Sequence, residues 1–406
     1  MQSAYDPLEN RSPEARGRAL ARELPNQIAA AQVLPGYADS LGAVDARGVT
    51  DPAALVRVPV LRKSDLMARQ SEALPFGGLT VLDAGGFDRV FQSPGPIYEP
   101  GRVTRDWWRL GRFLNAAGIG AGDVVQNCFG YHLTPAGHIF ENGADAVGAA
   151  VIPAGTGQTE LQVQAARALG ATAYAGTPDY LKVILEKADD MGVPLGIRKA
   201  AVSGGALFPS LREAYAARGV ACLQCYATAD LGLIAYESPA MEGMIVDEGV
   251  IVEIVTPGTG DPVPEGEVGE VVVTTLNPDY PLIRFATGDL SAVLPGESPC
   301  GRTNMRIKGW MGRADQTTKI KGMFVRPEQV AEFVGRHDGV ARARVVATRA
   351  GDADAMTLRV EGRDLDPTAL ADVAREVFKL SASVEVVTSG VLPRDGIVIE
   401  DQRDYD

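Results

Sequence analysis

Through the middle of the chain, short apolar runs alternate with longer amphipathic stretches. Apolar runs bounded by turn residues predict buried strands, and apolar positions at three- and four-residue spacing predict helices. The predicted strands are 124–128, 149–152, 171–174, 199–203 and 220–225, and the predicted helices are 135–148, 159–169, 178–191 and 209–218. Thr159 is placed to cap its helix, and Gly170 and Gly219 are placed to end theirs. This alternation predicts an α/β fold with a doubly wound, mainly parallel sheet.

The pattern changes after Tyr236. Residues 249–256 and 269–276 are β-rich and flank a turn-rich segment, which predicts an antiparallel sheet or a small barrel. Farther on, strands and helices alternate again: helix 327–336, strands 341–348 and 356–360, helix 367–380 and strand 384–387. These elements suffice for a small α/β domain. We therefore predict a large N-terminal domain at 1–311, a hinge at 312–316 and a small mobile C-terminal domain at 317–406.

Composition and charge limit the kind of protein. With 406 residues, 46% of them apolar and 22% charged, the chain is typical of a globular protein with two domains. Its net charge of −13 argues against nucleic acid and anionic membranes as partners, because both need a basic face. No apolar run approaches the ~18 residues of a membrane span, and the polar N-terminus predicts no signal peptide. A cytoplasmic location is therefore expected. Because the net charge is negative, an anionic substrate would have to be bound by positive groups within the site.

Cysteine and histidine give little sign of a metal or redox site. The four cysteines include a CxxC pair, Cys222 and Cys225, in an apolar run. Such cysteines usually pack in a core, and a metal or redox pair is the alternative. The three histidines, His132, His138 and His337, lack the spacing of metal ligands. Neither a Gly-x-Ser-x-Gly elbow nor a Walker loop occurs, which disfavours an ordinary hydrolase and a P-loop enzyme.

Three segments fall where ligands bind in open α/β sheets, at the carboxyl ends of strands. Loop 203–206 (Ser-Gly-Gly-Ala) lets a flat ring or a phosphate approach the backbone, although such loops are often plain turns. Loop 226–230 (Tyr-Ala-Thr-Ala-Asp) can stack a base and hold Mg²⁺ on a nucleotide, or it can start a helix that one of its polar residues caps. In segment 284–289, Asp289 on a glycine turn can accept both hydroxyls of a ribose, and an ordinary β-turn is the alternative.

A charged segment lies at the predicted domain boundary. Residues 312–322 (GRADQTTKIKG) place Arg313, Lys319 and Lys321 beside the hinge. Cations at that place can hold a phosphate between domains, and an exposed charged linker is the alternative.

Taken together, these loops resemble those of the acyl-adenylate-forming superfamily, in particular its phenylacetate–CoA ligase branch. The resemblance runs from about residue 57 to the C-terminus and includes segments 58–66, 130–137 and 151–155. The joint presence of the ATD loop, the TGD turn and the GRADQTTKIKG segment is specific, whereas no one of them would be specific alone.

The resemblance implies a role for each of these residues. The nucleotide-binding residues would be Ser203, Gly204, Gly205, Ala206, Tyr226, Ala227, Thr228, Asp289 and Arg313, with Tyr226 on adenine and Asp289 on the ribose hydroxyls. Asp230 stands where the family has a Mg²⁺-associated Glu. The acyl pocket would be lined by Phe129, Tyr131, His132 and Ala229; Asp315 would be the hinge, and Lys319, Lys321 and Gly322 would face the site during thioester formation. The implied ligands are ATP, a small carboxylic acid, coenzyme A and Mg²⁺, and the branch implies a homodimer.

Two motifs of the family are altered in this chain. The family's phosphate loop ends in Gly-Lys-Pro; this chain keeps Ser93, Gly95 and a closing proline but lacks the lysine, which leaves Tyr98 as a candidate to hold the phosphates. Near the C-terminus, residues 393–396 (Pro-Arg-Asp-Gly) are followed by Ile397 in place of a catalytic lysine that meets the carboxylate and the α-phosphate. Losing such a donor typically costs about 10²–10³ in rate. Slow adenylation with intact thioester formation is therefore expected.

The sequence thus predicts an acyl- or aryl-CoA ligase for an aromatic or arylacetic acid. A carboxylate is a poor electrophile, and its attack on the α-phosphate of ATP gives a mixed anhydride with AMP as the leaving group. Two anions must meet, so Mg²⁺ and cationic side chains are needed, and a small domain with two positions can serve the two steps in turn. The alternatives are a non-catalytic paralogue that binds nucleotide or acyl-CoA, and an adenylating enzyme with a different acceptor.

Overall fold

The computed structural model describes residues 4–314, 316, 318–321, 323–350 and 353–403. The chain forms two compact units. One comprises the described residues of Met1–Val252, Val273–Phe285 and Leu294–Trp310, and the other those of Glu253–Val272, Ala286–Val293 and Met311–Asp406.

Helices and strands alternate through most of both units. The helices are α1 (Pro13–Gln32), α2 (Ala38–Leu41), α3 (Lys63–Glu72), α4 (Gly111–Ala116), α5 (Ala136–Val147), α6 (Thr159–Ala168), α7 (Pro178–Asp190), α8 (Pro209–Ala217), α9 (Pro327–Gly335) and α10 (Pro367–Phe378). The strands are β1 (Leu61–Arg62), β2 (Arg89–Ser93), β3 (Ile97–Gly101), β4 (Val124–Asn127), β5 (Ala150–Pro153), β6 (Ala173–Gly176), β7 (Lys199–Val202), β8 (Ala221–Thr228), β9 (Gly232–Tyr236), β10 (Met244–Val246), β11 (Val250–Val255), β12 (Val268–Thr275), β13 (Phe285–Leu294), β14 (Arg306–Ile307), β15 (Thr318–Ile320), β16 (Met323–Val325), β17 (Val340–Ala350), β18 (Ala353–Gly362), β19 (Ser383–Val387) and β20 (Ile399–Asp401).

The sheet of the larger unit is parallel on one side and antiparallel on the other. Strands β5, β4, β6, β7 and β8 lie side by side in parallel, and helices α5 to α8 connect them along the chain. Strand β6 is buried at every position, as expected for a parallel strand that is covered on both faces. Strands β8, β9, β10 and β14 continue the sheet in antiparallel pairs. The predicted doubly wound, mainly parallel α/β sheet is confirmed.

Glycines end two helices of this unit as predicted. Gly170 and Gly219 follow α6 and α8 with φ angles of +69° and +73°, a left-handed conformation that glycine adopts without strain. The predicted cap at Thr159 is wrong. Gln158 holds the cap position in a left-handed conformation, and Thr159 is already the first helical residue. Its hydroxyl therefore stands one position too late to cap the helix.

The smaller unit has a four-stranded sheet in the order β19-β18-β17-β20. Strands β17 and β18 form a long antiparallel pair, and β19 and β20 run parallel to β18 and β17. Helices α9 and α10 pack with this sheet around one apolar core. In that core the ring centroids of Phe333 and Phe378 lie 6.1 Å apart. The predicted elements of residues 327–387 are all present. The short hairpin β15–β16 and the last strand β20 are additional.

The CxxC pair belongs to the core. Cys222 and Cys225 both lie in β8, three positions apart, so their side chains point to opposite faces of the sheet. They pack into two different apolar clusters. Burial raises the pKa of each thiol to about 12. Both are therefore neutral thiols in this environment, and because they face opposite sides of the sheet they cannot bind one metal ion together.

Within the described residues, no helix has both the length and the hydropathy that crossing a membrane requires.

The close approach of two backbones in the smaller unit yields a stability prediction. A Cβ at Gly362 would lie 2.1 Å from the carbonyl oxygen of Gly339, whereas one at Gly335 would meet nothing within 4 Å. We expect Gly362→Ala to lower the free energy of unfolding by about 1–3 kcal/mol or more, because the β17–β18 end must move apart. The measurement is the midpoint of denaturant unfolding.

Gly335→Ala is the matched control, since it adds the same methyl group at an open helical position. It should leave stability unchanged or raise it by about 0.5–1 kcal/mol. Equal midpoints for Gly362→Ala and the unchanged protein would contradict the proposed crowding.

Candidate functional site

One candidate loop of the larger unit leaves the carboxyl end of β7. The Ser203 hydroxyl donates to the carbonyl oxygen of Cys225 at 3.0 Å, which ties the loop to the neighbouring strand β8. Residues 204–206 are exposed, and Gly204 has a φ of +71°. The loop therefore presents open backbone at the sheet edge, as a flat ligand requires.

The next candidate loop is a β-hairpin turn. Strand β8 extends to Thr228, which pairs with Gly232 of β9, so residues 229–231 form the turn. The alternative that this segment starts a helix is therefore excluded. Tyr226, predicted to lie in the loop, instead lies within β8 opposite Ala235 and is only 8% exposed. Ala227 and Thr228 close the same strand, which leaves Ala229 and Asp230 in the turn.

Asp230 is buried and forms an ion pair with Lys63. The Nζ atom of Lys63, the first residue of α3, donates to Oδ2 of Asp230 at 2.5 Å. The Asp230 side chain is fully enclosed, whereas that of Lys63 is 31% exposed. The Oδ1 atom of Asp230 is also buried and has no hydrogen-bond partner in the described part of the chain. The pair joins an early segment to the sheet edge and leaves one side of the ammonium open.

The altered phosphate segment forms a second hairpin. Ser93 of β2 pairs with Ile97 of β3, so residues 94–96 form an exposed tip that contains Gly95. The side chain of Gln70 holds the backbone N–H and carbonyl of Tyr98, each at 2.8 Å. Because two of the three tip residues are prolines, the tip offers few N–H groups to a phosphate.

Glu99, next to Tyr98 on β3, is buried to 1% exposure. Neither of its carboxyl oxygens has a hydrogen-bond partner among the residues described. Burial, and then the neighbouring Asp230 carboxylate, raises the pKa of Glu99 to about 8, although Ser93 and Lys63 act in the opposite direction. The neutral form of Glu99 is thus favoured at physiological pH. The hydroxyl of Tyr280, which is also buried and without a partner in the described residues, interacts electrostatically with both acids.

The predicted acyl-pocket residues differ in accessibility. Phe129 is buried and stacks on Phe140 with 4.3 Å between ring centroids. Tyr131 accepts a hydrogen bond from the Asn127 side chain at 2.8 Å, and burial raises the pKa of its hydroxyl. His132 is exposed. Phe129 and Tyr131 can therefore contribute walls to a pocket, whereas His132 lies at the surface.

In the smaller unit, Asp289 pairs with Arg313. Arg313 Nη1 donates to Asp289 Oδ1 at 3.0 Å, and the backbones of the two residues form an isolated β-bridge. The TGD segment lies inside the ten-residue strand β13, so the predicted β-turn is wrong. Gly288 keeps a φ of +75°, and a Cβ there would lie 2.9 Å from Arg313 Nη2. The positive φ therefore favours glycine at this position, and a Cβ there would displace the end of the Arg313 side chain.

The predicted hinge and CoA-facing motif are only partly described. Asp315 and Gly322 lie outside the described residues, as does the side chain of Lys319, whose backbone is in β15. Lys321 is exposed in a left-handed conformation, and its N–H donates to Asp354 Oδ2 at 2.9 Å.

A single glutamine organises the C-terminal segment that contains Ile397. The side-chain amide of Gln316 donates to the Gly396 carbonyl at 2.8 Å and accepts from the N–H of Val398 at 2.5 Å. The N–H of Ile397 itself donates to Asp395 Oδ1 at 3.0 Å. The backbone around position 397 is therefore fixed on both sides, while the Ile397 side chain is 36% exposed.

Sequence reasoning missed Lys63, Glu99 and Gln316. Lys63 lies in segment 58–66, which carries part of the family resemblance, but its partner is 167 positions away. The only sequence signal for Glu99 is an acid directly before the closing proline of the phosphate segment, where the resembled motif has a lysine. Gln316 has no signal, because its function is to bind backbone groups about 80 residues later.

Comparisons with known proteins find acid–CoA ligases that are similar to most of the chain. It is 30% identical over 378 residues to a phenylacetate–coenzyme A ligase of Thermus thermophilus, covering 88% of this chain and 84% of the relative. It is 29% identical over 314 residues to the phenylacetate–coenzyme A ligase of Escherichia coli, covering 70% of each. No protein-family model matches.

A solved structure supports the fold. A crystal structure of 2-hydroxyisobutyryl-CoA ligase in the postadenylation state, in complex with R3-HIB-AMP, superposes with a TM-score of 0.71. The identity is 24%, and the match covers 97% of this chain and 91% of the other.

The buried acid Glu99 yields a pH-dependent stability prediction. Since its pKa is about 8 in the folded chain and about 4.3 when unfolded, the folded state keeps a proton that the unfolded state loses. Stability should therefore fall as the pH rises from ~4.5 to ~8, by up to about 1.4 kcal/mol per pH unit from this one group. Glu99→Gln removes this ionisation, so its advantage over the unchanged protein should grow to about 3–5 kcal/mol near pH 8.

The measurement is urea unfolding of both proteins between pH 5 and pH 8.5. Glu213→Gln, at an exposed position, is the matched control and should show no such divergence. Parallel stability curves for Glu99→Gln and the unchanged chain would show that Glu99 is not held neutral.

Proposed function

The chain belongs to the phenylacetate–coenzyme A ligase family of AMP-forming acid–thiol ligases, and we propose that it activates an aromatic or arylacetic acid as its acyl-adenylate and transfers the acyl group to coenzyme A. The observation that carries this proposal is the similarity over 88% of the chain to a named ligase. The acid–cation pairs at two predicted nucleotide segments, Lys63–Asp230 and Arg313–Asp289, support it.

The proposed reaction has two steps. In the first, a carboxylate oxygen attacks the α-phosphorus of ATP, and pyrophosphate leaves. In the second, the thiol of coenzyme A attacks the acyl carbon, AMP leaves and the thiol proton is released. Both steps bring anions together, so the chain has to supply fixed positive charge where its net charge of −13 supplies none.

Residue roles follow from the resemblance. We assign the 203–206 loop and Tyr226 to the adenine, and Asp289 with Arg313 to the ribose and phosphate. Arg313 is 55% exposed while its carboxylate partner orients it, so its remaining N–H groups are accessible. Lys321 is assigned to thioester formation, and residues 312–316 are proposed as the hinge between domains 1–311 and 317–406.

Magnesium does not fit Asp230 in the conformation observed. On a nucleotide, Mg²⁺ is usually held by one or two carboxylates together with the phosphates. Asp230 Oδ2 already accepts from Lys63, and Oδ1 is enclosed. No cluster of three or more His, Cys, Asp or Glu residues in the described chain is arranged to hold a metal. A metal ion on Asp230 therefore has no part in the proposed reaction.

The acyl pocket is proposed to accept a flat ring. Phe129 and Tyr131 flank the start of α5 and are followed along the chain by Gly137, where a Cβ would lie 2.8 Å from the Tyr131 ring. Such close packing fixes the orientation of the tyrosine. Two aromatic faces in fixed positions suit an aromatic acid better than a flexible aliphatic one.

A binding-only paralogue is the second candidate function. Two lysines of the resembled motifs are missing, one before Pro100 and one at position 397. Without these two lysines, adenylation has less positive charge to support it. The residues proposed to bind the nucleotide are all still present. Tight nucleotide binding without turnover would favour this candidate, and transfer to an amine or a carrier protein would change only the acceptor.

Restoring the missing cation tests the proposal. Because Gln316 fixes the backbone on both sides of position 397, Ile397→Lys changes the side chain without changing its support. We expect the variant to raise the rate of acid-dependent ATP–pyrophosphate exchange by about 10²–10³, since a preorganised donor then meets the developing charge. Thioester formation from supplied acyl-adenylate should change by less than about threefold.

Ile397→Met is the matched control, because it is similar in size and carries no charge. Exchange should be assayed against aryl, arylacetic and short aliphatic acids. If Ile397→Lys and Ile397→Met give the same exchange rate with every acid, the role assigned to position 397 is wrong.

A further inference from the structure

The ion pair between Lys63 and Asp230 occupies the place where the resemblance puts a metal-associated acid. The ammonium lies 2.5 Å from Asp230 Oδ2. A buried carboxylate must be neutralised, and Lys63 already does so from within the fold. A dication on Oδ1 would lie within a few ångströms of this ammonium, where like charges repel.

The two acidic groups next to the pair add little charge to it. Glu99 and Tyr280 both interact electrostatically with Asp230. Glu99 is enclosed and adds no negative charge while it is protonated, and the Tyr280 hydroxyl is neutral. The cluster therefore carries one positive and one negative charge, and an added dication would leave it with an uncompensated charge in an enclosed place.

Lys63 also has donors to spare. An ammonium has three N–H groups. In the described part of the chain, Lys63 donates one hydrogen bond, to Asp230. The side chain is 31% exposed, so part of it faces solvent at the sheet edge, while Asp230 is fully enclosed. An anion that approaches this edge would meet the lysine and not the aspartate.

We propose that Lys63 is the cation of this nucleotide loop: it neutralises Asp230 in place of a divalent ion and binds the phosphate of an adenylate through its open side. The inference rests on the proposed function, because it takes nucleotide as the ligand. In this proposal Lys63 binds the phosphate, and Asp230 positions Lys63. Nucleoside monophosphate should then bind without any divalent cation.

The first test measures the dissociation constant of AMP by calorimetry, in EDTA and in Mg²⁺. The unchanged protein should give values within about twofold of each other. Lys63→Met should weaken binding in EDTA by about 10–100-fold, the effect of one charge-assisted hydrogen bond. Mg²⁺ should recover part of this loss, because Asp230 is then free to take a cation. Lys63→Arg should keep metal-independent binding, and Lys182→Met, at an exposed i,i+4 pair, should change nothing.

The second test needs no nucleotide. Mn²⁺ binding, followed by electron paramagnetic resonance, should be unaffected by Asp230→Asn in the unchanged background. It should appear in Lys63→Met and disappear again in Lys63→Met/Asp230→Asn. If Lys63→Met does not fold, comparing the unchanged protein with Asp230→Asn and Lys63→Arg still shows whether Asp230 binds Mn²⁺ while a cationic residue is present at position 63.

Two results would overturn the inference: AMP binding by the unchanged protein that is lost in EDTA, or Mn²⁺ binding by the unchanged protein that Asp230→Asn abolishes. Failure of AMP to bind in either buffer would instead refute nucleotide binding, and hence the proposed function. The Mn²⁺ measurement would then decide separately whether Lys63 stands in for a metal.

Discussion

Burying a carboxylate requires a partner, and this requirement organises the edge of the large sheet. Asp230 lies in the turn between β8 and β9 and is fully enclosed. Lys63 reaches it from the start of α3, and on β3 burial and the Asp230 charge raise the pKa of Glu99 to about 8. The ion pair thus joins two segments that are distant in sequence, and its charge acts on a third. Breaking the pair would leave a buried charge uncompensated, which typically costs 3–5 kcal/mol.

The same arrangement of a buried acid and a more exposed base occurs in the smaller unit. There the carboxylate of Asp289 is mostly buried and the guanidinium of Arg313 is mostly exposed. In both units the acid is the inner member of the pair and the base is the outer one. The acid therefore orients a cation whose remaining donors face outward, which reduces the side-chain entropy that binding an anion would cost. A chain with a net charge of −13 can bind an anion in this way without a basic surface.

The parallel sheet was predictable because its strands are covered on both faces and stand out as apolar runs between glycine and proline residues. Their bounds agree within three residues, as for β6 and β8. Both motif segments were predicted as loops, but β8 continues to Thr228 in the first and β13 runs through residues 285–289 of the second. Pairing with a neighbouring strand overrides local turn chemistry, and a single sequence does not show which strand will be the neighbour. The same limit hid Lys63 and Gln316, whose partners are 167 and about 80 positions away.

The C-terminal segment shows how a motif can lose its chemistry and keep its geometry. Gln316, Arg342 and Arg344 hold residues 392–398 through backbone carbonyls and N–H groups, so none of these contacts depends on the side chain at position 397. These contacts would be the same with isoleucine or with lysine at position 397. The hairpin at residues 93–97 differs, because its two prolines alter the backbone itself and remove two N–H donors, so that restoring both requires replacing both prolines. Of the two departures from the family's motifs, the one at position 397 is therefore open to repair by one substitution, and the one in the phosphate segment is not.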